Sequence, residues 1–472
     1  MNEKMPRIDA WVKGKKVLLL GFGREGQSTY RMLSRTKRYE SLTIADQNTE
    51  KPWLPDPDIS WITGPDYQKT LDEYDVVFKS PGIVLERPIE SYRCSIISQT
   101  EVFFQLFRDQ IVGITGTKGK STTTSLLYHI LKEAGRKTMI AGNIGIPAFD
   151  HVDEIEPDTV VVFEMSCHQL EYMTVSPHLG ILLNIHEEHL DHYGTMEKYT
   201  AAKEKIYRNQ RPEDVLLCSS QCLPKSGTCP SRLISVWDLG EGDGEGREGS
   251  GEDGRCAGGK EFQVFLKGNK VYQGDECFAI PQEEIRLLGH HNYFDIAVVY
   301  AACRLLGLSE EEFCRGLKTF APLPHRLFNL GLKDGVRYYD DSISTICDTT
   351  IQALNTLKDA DTVLIGGMDR GIDYEDLIRY LSESTVRNII LMEATGERIF
   401  QEIQRDYPDF QGPERLLKVK HLEDAVREAK RLTRKGRSCV LSPAAASYGI
   451  FKNFEERGEV FARLVFEEPQ QS

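Results

Sequence analysis

Residues 111–127 read IVGITGTKGKSTTTSLL. A short apolar run, Ile111, Val112 and Ile114, breaks into Gly116-Thr117-Lys118-Gly119-Lys120-Ser121. The spacing of Leu126, Leu127, Ile130 and Leu131 then predicts a helix over 122–133 with one apolar face. Strand, glycine turn, Lys-Ser and helix is the order a phosphate loop needs. Gly116 and Gly119 let backbone amides close around phosphate oxygens, and the helix N-terminus adds unpaired N–H groups and a positive dipole end. Lys120 can reach the terminal phosphates, and the Ser121 hydroxyl can bind Mg²⁺. The first glycine of the longer, commoner loop would fall at position 114, which is Ile, so this is a shorter variant. An ordinary glycine turn is the competing reading, and Lys-Ser opening a helix weighs against it. The stretch implies a nucleoside triphosphate site.

Size and charge bound the rest. A chain of 472 residues suggests about three domains at ~150 residues each. No apolar run approaches ~18 residues, so no membrane partner is expected. The N-terminus, MNEKMPRIDAW, has no apolar core behind its charges and does not read as a secretory signal. Eleven cysteines lack paired CxxC spacing; Cys218, Cys222 and Cys229 come closest to a cluster without completing a zinc site. Reduced thiols and a cytoplasmic location are expected. The net charge of −14 argues against a nucleic-acid partner. Residues 238–255, DLGEGDGEGREGSGEDGR, hold seven glycines and seven acids against two arginines, and an acidic insert over about 238–260 is expected to be a disordered surface loop without function.

Upstream, KKVLLL (15–20) reads as a buried strand running into Gly21-Phe22-Gly23-Arg24-Glu25-Gly26, with a helix from Gln27 to about Ser34. Asp46 ends a second strand, 42–45, twenty residues after Gly26. On pattern alone this is a dinucleotide fingerprint, shared by many units that bind other nucleotides or none. A strand at 76–79 ends in Ser80-Pro81-Gly82, either a ligand-facing turn or a plain βα connection.

Downstream of the phosphate loop, 141–145 (AGNIG) reads as a loop, 160–163 as a strand carrying Glu164 at its tip, and 179–183 as a strand ending at Asn184. Glu164 falls where a Walker-B acid would hold Mg²⁺. His186, Glu187, Glu188, His189, Asp191 and His192 could be a metal-holding loop or plain surface polarity. A helix is predicted over 196–207, and GHHN (289–292) precedes another over 294–306. Ala321-Pro322-Leu323-Pro324-His325-Arg326 is the best linker candidate. Beyond it, strands at 336–339, 363–365, 389–392 and 439–441 alternate with helices near 348–358, 373–382, 395–405 and 422–434. The fold class is therefore α/β: three consecutive doubly wound domains, Rossmann-like over 1–107, P-loop ATPase-like over 108–323 and Rossmann-like over 324–472.

Taken in order, GITGTKGKST (113–122), GNIG (142–145), EMSCHQLE (164–171), NIHEEHLDHY (184–193), AAKEKIY (201–207), GHHN (289–292), LPHR (323–326) and LSPAAASYGIFKNFEERG (441–458) resemble the Mur ligase family, in its glutamate-adding branch. The resemblance covers nearly the whole chain outside the 238–260 insert. It implies an ATP-dependent ligase of peptidoglycan precursors, using ATP and two Mg²⁺ ions to join UDP-N-acetylmuramoyl-L-alanine to glutamate, and working as a monomer. By similarity Gly23, Arg24, Asp46, Ser80, Pro81, Gly82 and Asn143 would contact the UDP substrate. Gly116 to Thr122 (Thr117 and Lys118 included), Asn292, Arg326 and Asp341 would contact ATP. Ser121, Glu164, His189 and Lys203 would hold metal, the lysine as a carbamate, with Lys120, His189 and Lys203 catalytic. Thr345, Arg370, Ser447 and Phe454 would hold glutamate. Two positions depart from the family pattern: Ile343 in DSIST and Arg370 in GGMDRG both stand where most members have lysine. Removing one cation and making the other a planar fork should reshape the amino-acid pocket. DSIST is similar to the pattern of a branch that uses L-glutamate, so both enantiomers stay open, D-glutamate being the commoner. A folylpolyglutamate synthase-like ligase is a distant alternative, since it would leave residues 1–105 without a role.

Overall fold

The computed structural model describes residues 4–49, 52, 54, 56–144, 146–240, 262–287, 289–321, 324–407, 410 and 413–467. The chain divides into two compact units, Met1–Ile285 with His291–Phe320, and Arg286–His290 with Ala321–Ser472. Among the described residues there are three sheets, two in the first unit and one in the second.

The first sheet has the order β3-β2-β1-β4-β5, all parallel: β1 (Lys16–Leu20), β2 (Ser41–Asp46), β3 (Ser60–Thr63), β4 (Val76–Lys79) and β5 (Ser95–Ile97). Val17 to Leu20 are buried without alternation, as a parallel strand covered on both faces requires. The following helix spans Arg24–Ser34 and so begins three residues earlier than predicted. Its start is set by glycine: a Cβ on Gly26 would fall 2.1 Å from Gly21 O, so only glycine lets the helix seat on the turn.

The second sheet has nine strands. They are β6 (Ile111–Thr115), β7 (Thr138–Gly142), β8 (Val160–Glu164), β9 (Leu179–Leu182), β10 (Val215–Ser219), β11 (Arg232–Asp238), β12 (Phe262–Lys267), β13 (Lys270–Gln273) and β14 (Glu276–Ala279). Their order is β14-β13-β12-β11-β10-β9-β6-β8-β7, parallel except where β13 and β14 add an antiparallel edge. Register decides what borders the phosphate loop. Ile114 pairs with Glu164 on one side of β6, and Thr115 with Leu182 on the other. The loop after β6 thus emerges between Glu164 and the segment that follows Leu182. Phe103 and Phe104, from the helix Gln99–Phe107, pack on Phe163 with ring centroids 5.7 and 5.1 Å away, so the first two sheets share one core.

The third sheet has the order β15-β16-β20-β17-β18-β19: β15 (Phe328–Lys333), β16 (Val336–Asp340), β17 (Ala360–Gly366), β18 (Asn388–Met392), β19 (Arg415–Val419) and β20 (Ser438–Leu441). Only β15 is antiparallel. The α/β class with parallel-dominated sheets is borne out, with antiparallel strands added at the edges.

Some local expectations are corrected. Ala141 and Gly142 belong to β7 rather than to a loop, and Gly145 lies outside the described residues. The phosphate-loop helix starts at Lys120, and the helix expected from 294 starts at His290, which puts Asn292 in its first turn. Asp238 closes β11, while 241–260 of the acidic insert, like Pro322 and Leu323 of the junction, lie outside the described residues. No helix among the described residues is long and apolar enough to cross a membrane.

Candidate active site

The phosphate loop is braced by a residue absent from the predicted set. Asn184 Oδ1 accepts from the backbone N–H of Thr117 at 3.0 Å and of Lys118 at 2.7 Å, while its Nδ2 donates to Lys118 O at 3.1 Å. Thr117 Oγ1 lies 3.0 Å from the Tyr199 hydroxyl and accepts from His186 N at 2.9 Å. Gly119 takes φ +81°, and a Cβ there would meet Asp295 Oδ1 at 2.6 Å, so the loop closes against the helix that carries Asn292. With the Thr117 and Lys118 amides committed, the helix from Lys120, which holds Ser121 and Thr122, offers its first-turn N–H groups to an anion.

Two predicted lysines converge here. Lys120 Nζ donates to Gly116 O and Thr117 O, both at 2.9 Å, and Lys203 Nζ donates to the same Gly116 O at 2.7 Å. Burial lowers the basicity of Lys120. Burial, and then the charge of Lys120, push Lys203 down to about 7.

Glu164 ends β8 fully buried. Its Oε1 accepts from Asn143 Nδ2 at 2.9 Å, and its Oε2 has no hydrogen-bond partner among the described residues. An orphaned buried carboxylate oxygen beside a phosphate loop is the donor a hard divalent cation needs. Asn143, predicted on the UDP substrate, therefore orients this acid. His189 adopts φ +57° at the start of Leu190–Tyr193, with its ring 5.0 Å from His168 and 6.2 Å from Tyr199. Among the described residues no three His, Cys, Asp or Glu side chains gather as a metal set. A cation here would need ligands beyond Glu164 and His189; Ser121 after the loop, a modified Lys203 on the helix Met196–Arg208, and the phosphate oxygens of a bound nucleotide are the candidates.

Apart from Asn143, which follows β7 of the second sheet, the predicted UDP-substrate residues fall at three strand ends of the first sheet, those of β1, β2 and β4. Gly23 and Gly82 both face open space where a Cβ would stand, while Gly21 (φ +91°) is pressed against Ser80 and Ile83. Arg24 opens the helix. Asp46 braces the turn: Oδ2 accepts from Phe22 N at 2.6 Å and Oδ1 from Asn48 N at 2.8 Å. Lys79 Nζ donates to the carbonyls of Ser80 and Pro81, both at 3.2 Å, and burial lowers it to about 8. Lys79, Pro81, Glu101, His168 and Tyr172 line a cavity of about 200 Å³.

In the second unit, Asp341 is buried; it accepts from Leu327 N at 3.0 Å and Ser442 Oγ at 2.7 Å, and burial pushes it up to about 6. Arg326 has a buried Nε without a partner among the described residues. Arg370 Nη2 donates to Thr345 O at 2.8 Å, joining two predicted glutamate residues. Ser447 is buried, and Phe454, opening the helix Phe454–Phe466, accepts at its carbonyl from Ser342 Oγ at 2.8 Å.

Comparison with known proteins follows the same lines. The Mur ligase middle domain profile matches residues 114–303. A UDP-N-acetylmuramoylalanine–D-glutamate ligase of Pelotomaculum thermopropionicum is 33% identical over 470 residues, covering 96% of this chain and 97% of that one. The enzyme of the same name from Geobacillus kaustophilus is 32% identical at the same coverage. MurF ligase of Thermotoga maritima, solved in complex with ADP, superposes with a TM-score of 0.56 at 17% identity, over 97% of this chain and 96% of that one. MurC of Thermotoga maritima gives a TM-score of 0.55 at 17% identity, over 95% and 98%. These two share the fold. The identity and full-length coverage of the curated relatives carry the conclusion: this chain belongs to the Mur ligase family, among the UDP-N-acetylmuramoylalanine–D-glutamate ligases.

Proposed function

We propose that this chain is an ATP-dependent amide ligase of peptidoglycan precursor synthesis, joining D-glutamate to UDP-N-acetylmuramoyl-L-alanine. The observation that carries the reading is the convergence of Lys120 and Lys203 on Gly116 O in a loop bordered by a buried Glu164, one oxygen of which is unpartnered among the described residues. The names of the full-length relatives support the substrate pair and the D enantiomer. In this reading residues 1–107 hold the UDP substrate, 108–323 hold ATP and 324–472 hold glutamate, in the cytoplasm.

The chemistry follows from charge. Phosphorylating a carboxylate brings two anions together, so cations must offset their repulsion. Lys120 takes the terminal phosphates as its Nζ leaves the loop carbonyls. Glu164, His189, Ser121 and Lys203 are the groups that would hold Mg²⁺, which supplies charge neutralisation at the phosphoryl oxygens. With its pKa near 7, Lys203 presents a neutral amine to CO₂ at neutral pH, giving a carbamate and a released proton. The buried carbamate would complete the ligand set that the described carboxylates and histidines leave short. The glutamate amine then attacks the acyl phosphate carbon, and the intermediate collapses to amide and phosphate.

The test is phosphate release from ATP with UDP-N-acetylmuramoyl-L-alanine and either glutamate enantiomer. Release with D-glutamate and a product heavier by one glutamyl residue is expected. Release with L-glutamate alone would move the chain to the other stereochemistry, and none with either would refute the reading.

A further inference from the structure

The helix Phe454–Phe466 brings one arginine entirely inside the second unit. Arg457 is fully buried, and no predicted role uses it. Its Nε donates to Ser342 Oγ at 2.9 Å, and its Nη2 to Ser342 O at 2.8 Å and to Ala445 O at 3.0 Å. Its Nη1 has no acceptor among the described residues and lies against the backbone of Gly367, where a Cβ would fall 2.9 Å from it and 2.4 Å from Ala446 O. Attraction between Glu393, which follows β18, and Arg457 favours the charged form of both against burial.

Ser342, Gly367 and Ala445 stand on the loops that leave the C-terminal ends of β16, β17 and β20. Each is two or three residues before a candidate glutamate ligand: Thr345, Arg370 and Ser447. Phe454 stands three residues before the arginine itself, and the Ser342 hydroxyl that accepts from Arg457 donates to the Phe454 carbonyl. A guanidinium suits this post because its planar fork fixes several acceptors at once; a lysine keeps the charge and loses the geometry.

We propose that Arg457 is the positioning residue of the amino-acid pocket, holding the loops after β16, β17 and β20 in the register that lets Thr345, Arg370 and Ser447 take one glutamate. The proposal rests on the glutamate-ligase reading above. Arg457 touches no substrate; it acts through the loops.

The experiment measures KM for D-glutamate, ATP and UDP-N-acetylmuramoyl-L-alanine, with kcat and the thermal midpoint, for wild type, Arg457→Lys and Ser342→Ala. Arg457→Lys is expected to raise the glutamate KM about tenfold while kcat and the other two KM values stay within about threefold. Ser342→Ala, which removes one acceptor, should move the glutamate KM the same way by about threefold. If Arg457→Lys fails to fold, Ser342→Ala decides alone. An unchanged glutamate KM, or a uniform loss across all three substrates that follows the fall in thermal midpoint, would overturn the assignment. Wild-type protein inactive with both enantiomers would instead refute the reaction, and this assignment with it.

Discussion

The phosphate loop of the first unit and the loop cluster of the second are built on the same plan and encoded differently. Both gather where parallel strands end, the usual place for ligands in open α/β sheets. The first is nearly contiguous: Gly116 to Thr122 supply the turn, the lysine and the helix N-terminus, and Asn184 Oδ1 fixes two of its amides. The second draws on residues 325–327, 340–345, 366–370, 393, 442–447 and 454–458, and its joining group is a buried side chain, Arg457. Phosphate is recognised mainly by main-chain N–H groups, and these converge only along a contiguous turn. An amino acid is recognised by side chains, and any loop can deliver one.

Substitutions can break or sharpen that contrast. The largest loss is expected from Lys120→Met, about 10³-fold in kcat, because a charge aimed at the phosphoryl group disappears; a modest loss in phosphate-release assays would take Lys120 out of the chemistry. Lys203→Ala should cost about 10²-fold and recover partly with added short carboxylates. Its pH dependence has a defined sign. In the unmodified chain, burial and the charge of Lys120 hold the Lys203 amine at about 7 against an ordinary 10.5, so between those values the unfolded chain binds the extra proton and this group's contribution to stability rises with pH. The neutral amine also accumulates above about pH 7, so wild-type activity should gain from bicarbonate there, while Lys203→Ala should not respond.

Asn184→Ala should raise the KM for ATP about tenfold with the glutamate KM unchanged, since it frees two loop amides without touching the second unit. Equal changes in both would erase the distinction between the two regions. The smallest effect on turnover is expected from Gly26→Ala, where the methyl meets Gly21 O at 2.1 Å; a stability loss of about 1–3 kcal/mol by denaturant titration is expected, with kcat nearly unchanged in what remains folded.

Legibility in the sequence follows the same division. The place of Lys120 and Ser121 at the start of a helix after a glycine turn, and of Glu164 at a strand end, could be read because these features have fixed local spacing. Asn184 and Tyr199 could not, because their role depends on β9 lying beside β6, a pairing that no spacing in the chain announces. Strands such as Ser60–Thr63 and Ser95–Ile97 escaped because they are short and only partly buried. β15 escaped because its exposed and half-buried residues lack the apolar run that marks the strands inside the sheet. Asp46 shows what spacing leaves out: its oxygens accept from two backbone N–H groups, Oδ2 from Phe22 in the turn after β1 and Oδ1 from Asn48 in the turn after β2. Arg457 gives no such signal, because a charged residue in the polar run NFEERG reads as solvated until its burial is known.

The central claim is that this loop delivers phosphate to the carboxylate of the UDP substrate. Turnover of UDP-N-acetylmuramoyl-L-alanine with its alanyl carboxylate labelled by oxygen-18 tests that directly. An acyl phosphate route places one labelled oxygen in each released phosphate, because the bond that breaks lies between the acyl carbon and the bridging oxygen. Phosphate released without label, alongside normal amide formation, would contradict the account.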